Sequence, residues 1–187
     1  RGRLRPPFCL GGVGVARIKP NLKVMQWLPL AEKWAGQGVV PVPVALVLAI
    51  IQMESAGNPN AKRAEPEALA KALQDRRDEK INMIAKITGL DPIEIMSSYG
   101  LMQLMVTTAW GYLSARHKGP GVIDALLDPD QNIRYGTAHL ATLLKRRGGD
   151  IRLAARDYNG AGSMAEAYGR NTQLLYLEFK KILDGRE

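Results

Sequence analysis

The sequence predicts a mostly helical fold with little or no β-structure, on three observations. No long stretch alternates apolar and polar residues with period two, as a half-buried strand would. Helix start signals recur instead, with Asp followed by Pro and then Glu or Gln at capping-box spacing, and glycines close the segments. The third observation is the run from Val42 to Ile51, apolar on every side as a buried central helix is. That run falls short of the about 20 residues a membrane span needs. At 187 residues and 46% apolar content the chain can bury the core of one domain, and 24% charged residues is ordinary for a globular protein.

The chain starts at Arg1, which predicts a processed product or a piece of a longer polypeptide. Residues 1–20 set basic residues before a short apolar patch, loosely like a signal peptide. Pro6, Pro7 and three glycines interrupt that patch and no convincing cleavage site follows. Gly11-Gly12-Val13-Gly14 lacks the Lys-Ser/Thr of a phosphate loop and reads as flexible. Residues 1–23 are therefore expected to be a basic arm or linker, followed by one domain over 24–187. A helix over about 24–35 contains Pro29, which splits it or begins its second half, and Gly36 and Gly38 end it. After Val42, strand and helix compete because Val and Ile are frequent. Pro43 at N1, Ala45, Ala49 and the Gly57-Asn58-Pro59 stop decide for helix.

Residues 65–88 read as one charged amphipathic helix, with Leu69, Leu73, Ile81, Ile84 and Ile87 as a discontinuous stripe and Gly89 as its stop. Asp91, Pro92 and Glu94 fit N-cap, N1 and N3 of a short helix. Ser97 to Met105 is a loop or extended piece. Thr107 or Thr108 starts a helix through Trp110 and Leu113 to about Arg116. Asp128-Pro129-Asp130-Gln131 opens another, carrying Ile133, Tyr135, Ala138, Leu140 and Leu144 up to Gly148-Gly149. Asp150 caps the next, which ends at Tyr158-Asn159-Gly160. Thr172 is expected to cap a last helix, with Leu175, Phe179 and Ile182 on one face.

Composition excludes several classes. The one cysteine, Cys9, rules out an intrachain disulfide framework, and two histidines, His117 and His139, argue against a His-rich metal site. The net charge is +8, of which residues 1–40 supply +6 through seven Lys/Arg against Glu32. A basic arm of this kind either attracts an anionic polymer (nucleic acid, anionic lipid or cell wall) or is simply solvated. Nucleic-acid binding is the weaker reading, because no aromatic residues are interleaved with the charges.

The candidate chemistry centres on Glu54. At the end of a helix its i−3, i−4 and i−7 neighbours are Ile51, Ile50 and Val47, so the carboxyl shares a face with aliphatic side chains. Desolvation there favours the neutral acid and raises the pKa toward working pH, as a general acid requires. A helix-end Glu bonded to a loop would look the same in isolation. The spacing of further segments decides: Glu54-Ser55, Asn58-Pro59-x-Ala61, Gly100-Leu101-Met102-Gln103-Leu104-Met105 with Thr108-Ala109, Asn132-Ile133-x-x-Gly136-x-x-x-Leu140, and Tyr158-Asn159-Gly160-x-Gly162. In this order they resemble the soluble lytic transglycosylase family over roughly residues 26–183.

The resemblance implies a lysozyme-like helical domain, of the goose-type lysozyme and lytic transglycosylase kind, needing no cofactor and no metal. It implies cleavage of the β-1,4 bond between N-acetylmuramic acid and N-acetylglucosamine in peptidoglycan, closing the muramic 6-hydroxyl onto its own anomeric carbon as a 1,6-anhydro end. Glu54 matches the catalytic acid, and the usual second carboxylate of glycosidases is not required. Ser55 matches the serine after it, either orienting the acid or substrate or bonding backbone. Gln103 matches the loop glutamine that holds the sugar's acetamido group or the strand backbone, and Met102 the loop methionine, on the sugar face or in the core. Tyr158 and Asn159 match the pair facing the acid, where a phenol can bond Glu54. Tyr176 matches a tyrosine of the last helix, with a core role as the alternative.

Two departures stand out. A charged helical insert at about 62–98 separates Glu54-Ser55 from the Gly100 loop, as a lid, a docking surface or the source of a second carboxylate (Asp91, Glu94 or Asp78) that would permit hydrolysis. Val106 also replaces a proline that often follows the loop. The alternatives to a lytic transglycosylase are therefore a goose-lysozyme-like hydrolase of the same bond, and a non-enzymatic wall-binding or virion structural protein. The expected partners are peptidoglycan strands and a larger virion or secretion assembly, with no specific nucleic acid and no transmembrane segment. The expected place of action is the bacterial wall, in the periplasm or outside, virion-associated or secreted, with a slight lean toward a phage-borne domain or a domain of a larger polypeptide.

Overall fold

The computed structural model describes residues 18–75 and 78–185; the expected basic arm falls mostly on residues 1–17, outside them. A 3-10 helix over Leu22–Trp27 leads into α1, Leu28–Ala35, with Pro29 in its first turn, where a missing N–H costs nothing. Packing is already present ahead of residue 24. Gln52 accepts from the Asn21 amide at 2.8 Å and donates to the Lys19 carbonyl at 2.9 Å.

The apolar run forms α2, Val44–Ser55, in which every residue from Ala45 to Ile51 is buried. Pro43 is its N-cap, one place earlier than expected. The two-residue strands β1, Lys62–Arg63, β2, Ser98–Tyr99, and β3, Leu104–Met105, form an antiparallel sheet in the order β1-β2-β3. Strands this short carry no readable alternation, which is why the sequence showed none.

The segment read as one helix over 65–88 divides in two. α3 covers Pro66–Gln74, and α4 covers Asp78–Thr88, with Ile81 and Ile84 buried. Leu73 and Ile87, expected on the apolar stripe, are 53% and 46% exposed. Next come α5, Pro92–Ile95, and α6, Val106–Ala109, which is a single turn where a helix to about Arg116 was expected. A 3-10 turn follows at Ala115–His117, then α7, Val122–Leu127, which the sequence did not suggest. The last three helices are α8, Pro129–Arg146, α9, Ile151–Asn159, and α10, Ser163–Asp184. Thr172 is not a cap. It is a fully buried residue inside α10. Gly169, inside the same helix, is a close-approach site, where a Cβ would lie 2.6 Å from the Arg152 carbonyl of α9.

By its packing the chain divides into two compact units. One comprises residues 58–136. In it α5 packs on α3, α4 and α6, and α7 packs on α6 and β2, around Ile81, Ile84, Ile95, Leu101 and Leu126. The other joins the described residues up to 57 with those from 137 onward. There α2 packs against α1 and α10, and α10 against α9, around Leu46, Ile50, Leu140, Leu175 and Phe179. Among the described residues no helix is long and apolar enough to cross a membrane.

Candidate functional site

Glu54, Ser55, Tyr158, Asn159 and Tyr176 belong to the unit that holds α2 and α10, and Met102 and Gln103 to the unit that holds the sheet. Glu54 closes α2 and is 7% exposed. The chain leaves the helix through Ala56, in the left-handed region at φ 53, and Gly57 at φ 88. The Ser55 hydroxyl donates to the Ile51 carbonyl and accepts from the Gly57 amide, both at 3.2 Å. The Gly57 carbonyl accepts from the Trp27 indole at 3.0 Å. This tight exit holds the carboxyl at the end of an apolar helix.

The group that meets the acid is one the sequence reading did not name. The Tyr168 hydroxyl donates to Glu54 Oε1 at 2.6 Å. Burial, then the charge and hydrogen bond of Glu54, push the Tyr168 phenol well above its ordinary range, so it keeps its proton and is the donor. A carboxyl this enclosed is costly to charge, and a phenol donor offsets part of that cost. A signal for Tyr168 existed. Ala165, Tyr168, Thr172, Leu175 and Phe179 repeat at steps of three and four, one buried helix face running straight through Gly169.

Tyr158 and Asn159 end α9. The Tyr158 ring lies against His139 of α8, with centroids 5.3 Å apart and planes at 49°. Asp157, one residue earlier, binds Arg147 at 2.6 Å and Arg156 at 2.7 Å. Burial works against the charged Asp157, and those two arginines outweigh it and hold its carboxyl below the usual range. Arg156 and Arg152 also reach Glu166, at 3.1 and 3.2 Å, tying the start of α10 to α9. Tyr176 is half-buried, two turns beyond Tyr168.

In the sheet unit, β2 and β3 are joined by the Gly100–Gln103 turn. Gly100 has φ 74, and a Cβ there would lie 2.4 Å from both Asn132 Nδ2 and the Leu126 carbonyl. Gln103 is left-handed at φ 47, a conformation that costs a residue with a Cβ about 1 kcal/mol. Its side-chain amide donates to the Gly100 and Ala61 carbonyls at 2.9 and 3.1 Å, holding the turn to the residue before β1. Met102 is fully buried, with its sulfur seated over Gly136, where a Cβ would lie 2.4 Å away. Asn132 is fully buried and clamps the turn. Its Nδ2 donates to the Tyr99 and Leu126 carbonyls at 2.9 and 2.6 Å, and its Oδ1 accepts from the Met102 amide at 2.8 Å.

Two acids of the insert, suggested as a second carboxylate, have structural work. Asp91 accepts from the Glu94 amide at 2.8 Å and the Glu94 carboxylate accepts from the Asp91 amide at 3.3 Å, a complete capping box. The third, Asp78, lies in the first turn of α4. The buried acid of this segment is Glu65, 4% exposed, which receives Arg63 at 2.5 Å and Ser98 at 3.5 Å. Among the described residues no cluster of three or more His, Cys, Asp or Glu is placed to hold a metal.

The Transglycosylase SLT domain model matches residues 32–176. Endo-type membrane-bound lytic murein transglycosylase A of Salmonella paratyphi B and that of Salmonella typhimurium are each 30% identical over 127 residues, covering 66% of this chain and 46% of theirs. The chain thus spans about half the length of the curated relatives it matches. A solved structure described as the complex of the 70-kDa soluble lytic transglycosylase with bulgecin A aligns over 83% of this chain and 21% of its own, at 20% identity and a TM-score of 0.45. The family match begins inside α1 and ends inside α10, and so takes in the acid at the end of α2, the clamped turn and the end of α9: the chain belongs to the transglycosylase SLT domain family.

Proposed function

We propose that this chain is the catalytic domain of a peptidoglycan lytic transglycosylase, with Glu54 as its acid and base. The observation that carries the reading is the buried Glu54 carboxyl held at 2.6 Å by the Tyr168 phenol at the end of an apolar helix. In the first step Glu54 gives its proton to the glycosidic oxygen between N-acetylmuramic acid and N-acetylglucosamine. The bond from that oxygen to the muramic anomeric carbon breaks, and the acetamido oxygen of the same sugar stabilises the cationic carbon. In the second step the 6-hydroxyl oxygen attacks the anomeric carbon and returns its proton to Glu54, leaving a 1,6-anhydro end. No water is consumed. One carboxyl serves both steps because each restores what the other spends.

The left-handed Gln103 turn is the sugar-binding element in this reading. Its side-chain N–H groups bond the Ala61 and Gly100 carbonyls, so the amide oxygen is the atom offered to the N–H of an acetamido group. Met102, packed on Gly136, supports the turn; Ser55 holds the exit of α2; and Tyr158, Asn159 and Tyr176 lie in the same unit as the acid. The substrate is the glycan strand of peptidoglycan, so the place of action is the bacterial cell wall.

The test is mass spectrometry of wall sacculi digested by the wild-type chain and by Glu54→Gln. Wild type should release muropeptides with anhydro ends, lighter by one water than hydrolysed ends. Glu54→Gln should keep its circular dichroism and lose at least about a thousandfold in rate. Hydrolysed ends in place of anhydro ends would make the chain a muramidase, and a Glu54→Gln variant that still degrades wall would remove Glu54 from the chemistry.

A further inference from the structure

Glu65 is a buried acid of the sheet unit that the proposed chemistry does not use. It is 4% exposed, and its Oε1 accepts from the Arg63 Nε at 2.5 Å and from the Ser98 hydroxyl at 3.5 Å. Ser98 is itself buried and stands opposite Arg63 in the β1–β2 register. Enclosing a carboxylate is costly, and a buried ion pair adds little stability over apolar residues of the same volume. What this pair does is fix a cation at the surface. The Arg63 side chain is 28% exposed against 5% for that of Glu65, so the acid lies inside and the guanidinium faces outward. Glu65 engages only its Nε, and among the described residues nothing else bonds the N–H groups of its two terminal nitrogens. A guanidinium pinned at one corner, with its terminal N–H groups open, is preorganised for a second carboxylate.

The place of Arg63 in the chain says which carboxylate. The Ala61 carbonyl, just ahead of β1, accepts from the Gln103 side-chain amide at 3.1 Å and from the Gly100 amide at 2.8 Å. Arg63 is two residues further along, so its Cα stands no more than about 7 Å from that of Ala61. Gln103 offers its amide oxygen to an acetamido group, which muramic acid carries on C2. The neighbouring carbon, C3, bears the lactyl ether, and through it every carboxylate of the glycan: that of the lactyl group itself, or those of a peptide attached to it. N-acetylglucosamine has none. We propose that Arg63, held by Glu65, is a specificity-determining residue that binds a carboxylate on the 3-O substituent of muramic acid. The inference rests on the reading of the chain as acting on peptidoglycan with Gln103 at the acetamido group. It adds the residue that tells muramic acid from its neighbour.

The experiment is calorimetric titration of the Glu54→Gln chain, which leaves its ligand uncut, with and without Arg63→Gln. Three ligands are compared: glycan strands bearing their peptides, the same strands bared by an amidase to the lactyl carboxylate, and chitotetraose, which has acetamido groups and no carboxylate. Arg63→Gln should weaken at least one of the two muramic ligands about tenfold and leave chitotetraose within about twofold. A loss on the peptide-bearing strands alone assigns the carboxylate to the peptide, and a loss on the bared strands alone assigns it to the lactyl group. Glu65→Gln, which frees the cation without removing it, should show part of the same loss on the same ligand. If Arg63→Gln does not fold, Arg63→Lys, which keeps a charge for Glu65 and lacks the fork, takes its place with the same expectation. Unchanged affinity for both muramic ligands would overturn the proposal, as would an equal loss on chitotetraose or binding of none of the three. Should wild type form no anhydro ends, the proposed activity falls, and these affinities still decide whether Arg63 reads the carboxylate.

Discussion

Replacing Asn132 by aspartate tests the clamp on the Gly100–Gln103 turn with a change of one atom. The native amide donates to two carbonyls, Tyr99 at 2.9 Å and Leu126 at 2.6 Å, and accepts from the Met102 amide at 2.8 Å, at a fully buried site. Asn132→Asp keeps the acceptor and removes both donors, leaving two buried carbonyls unmet. At about 1–3 kcal/mol for each unsatisfied partner, the loss at neutral pH should be about 2–6 kcal/mol, a large share of the about 5–15 kcal/mol that holds a domain together. The pH dependence has a definite sign. A protonated carboxyl can donate one of the two missing bonds while a carboxylate repels both oxygens, so folding raises the pKa of the introduced acid. The native state then binds more protons than the unfolded one, and stability falls as pH rises. The deficit against wild type is therefore widest near pH 7 and narrows as pH falls toward about 4, the ordinary carboxyl range. Urea unfolding followed by circular dichroism, with the m-value checked for constancy, measures both effects. A loss below about 1 kcal/mol at pH 7, or a deficit that grows on acidification, would refute the clamp.

Two further outcomes are expected. Tyr168→Phe deletes the donor to Glu54 at little cost in volume; it should fold, lose about 1.5–3 kcal/mol of stability, and lower the murein cleavage rate about tenfold, read by chromatography of released anhydro fragments. Wild-type rates in a folded Tyr168→Phe variant would show the phenol to be structural only. His139, with its pKa lowered to about 4, stabilises the fold fully above the unfolded value of 6.5, and that contribution is lost as pH falls from there to 4. It amounts to at most about 3 kcal/mol, so thermal scans from pH 7 to 4 should show a fall in Tm that His139→Phe reduces.

What could be read directly from the residues was what is local. Asp91 with Glu94, Asp128 with Gln131 and Asp150 with Leu153 cap the helices the sequence assigned to them, because a cap depends on three or four consecutive residues. The acid at the end of an apolar helix was equally visible, since α2 buries almost its whole length. What escaped depends on partners distant in sequence. Thr172 reads as a cap until α10 is seen to run unbroken from Ser163, and starting the last helix there left Tyr168 outside it. Asn132 and Gly136 entered only as part of a family pattern. Their physical reason, one clamping the Gly100 turn and the other making room for the Met102 sulfur, exists only once α8 lies beneath that turn. The break at the end of α3 went unread because charged residues of good helix propensity continue past it.

The places where this chain breaks local rules carry the functional argument. A carboxyl that ought to be solvated is buried at the end of α2, and a residue with a Cβ stands at φ 47 where glycine would be free of strain. Each feature carries a cost that another residue would not: an aliphatic side chain for Glu54, glycine for Gln103. Costs of this kind persist where a side chain is needed for something other than folding. Glycine at 103 makes the point separable. It would relieve about 1 kcal/mol of backbone strain but lose the two side-chain bonds that tie the turn to Ala61 and Gly100. Two such bonds are together worth about 1–3 kcal/mol, so glycine should leave the turn somewhat less stable toward urea. If Gln103 were there for folding alone, the folded variant would form anhydro ends at the wild-type rate; in the proposed enzyme that rate falls even where the variant is fully folded.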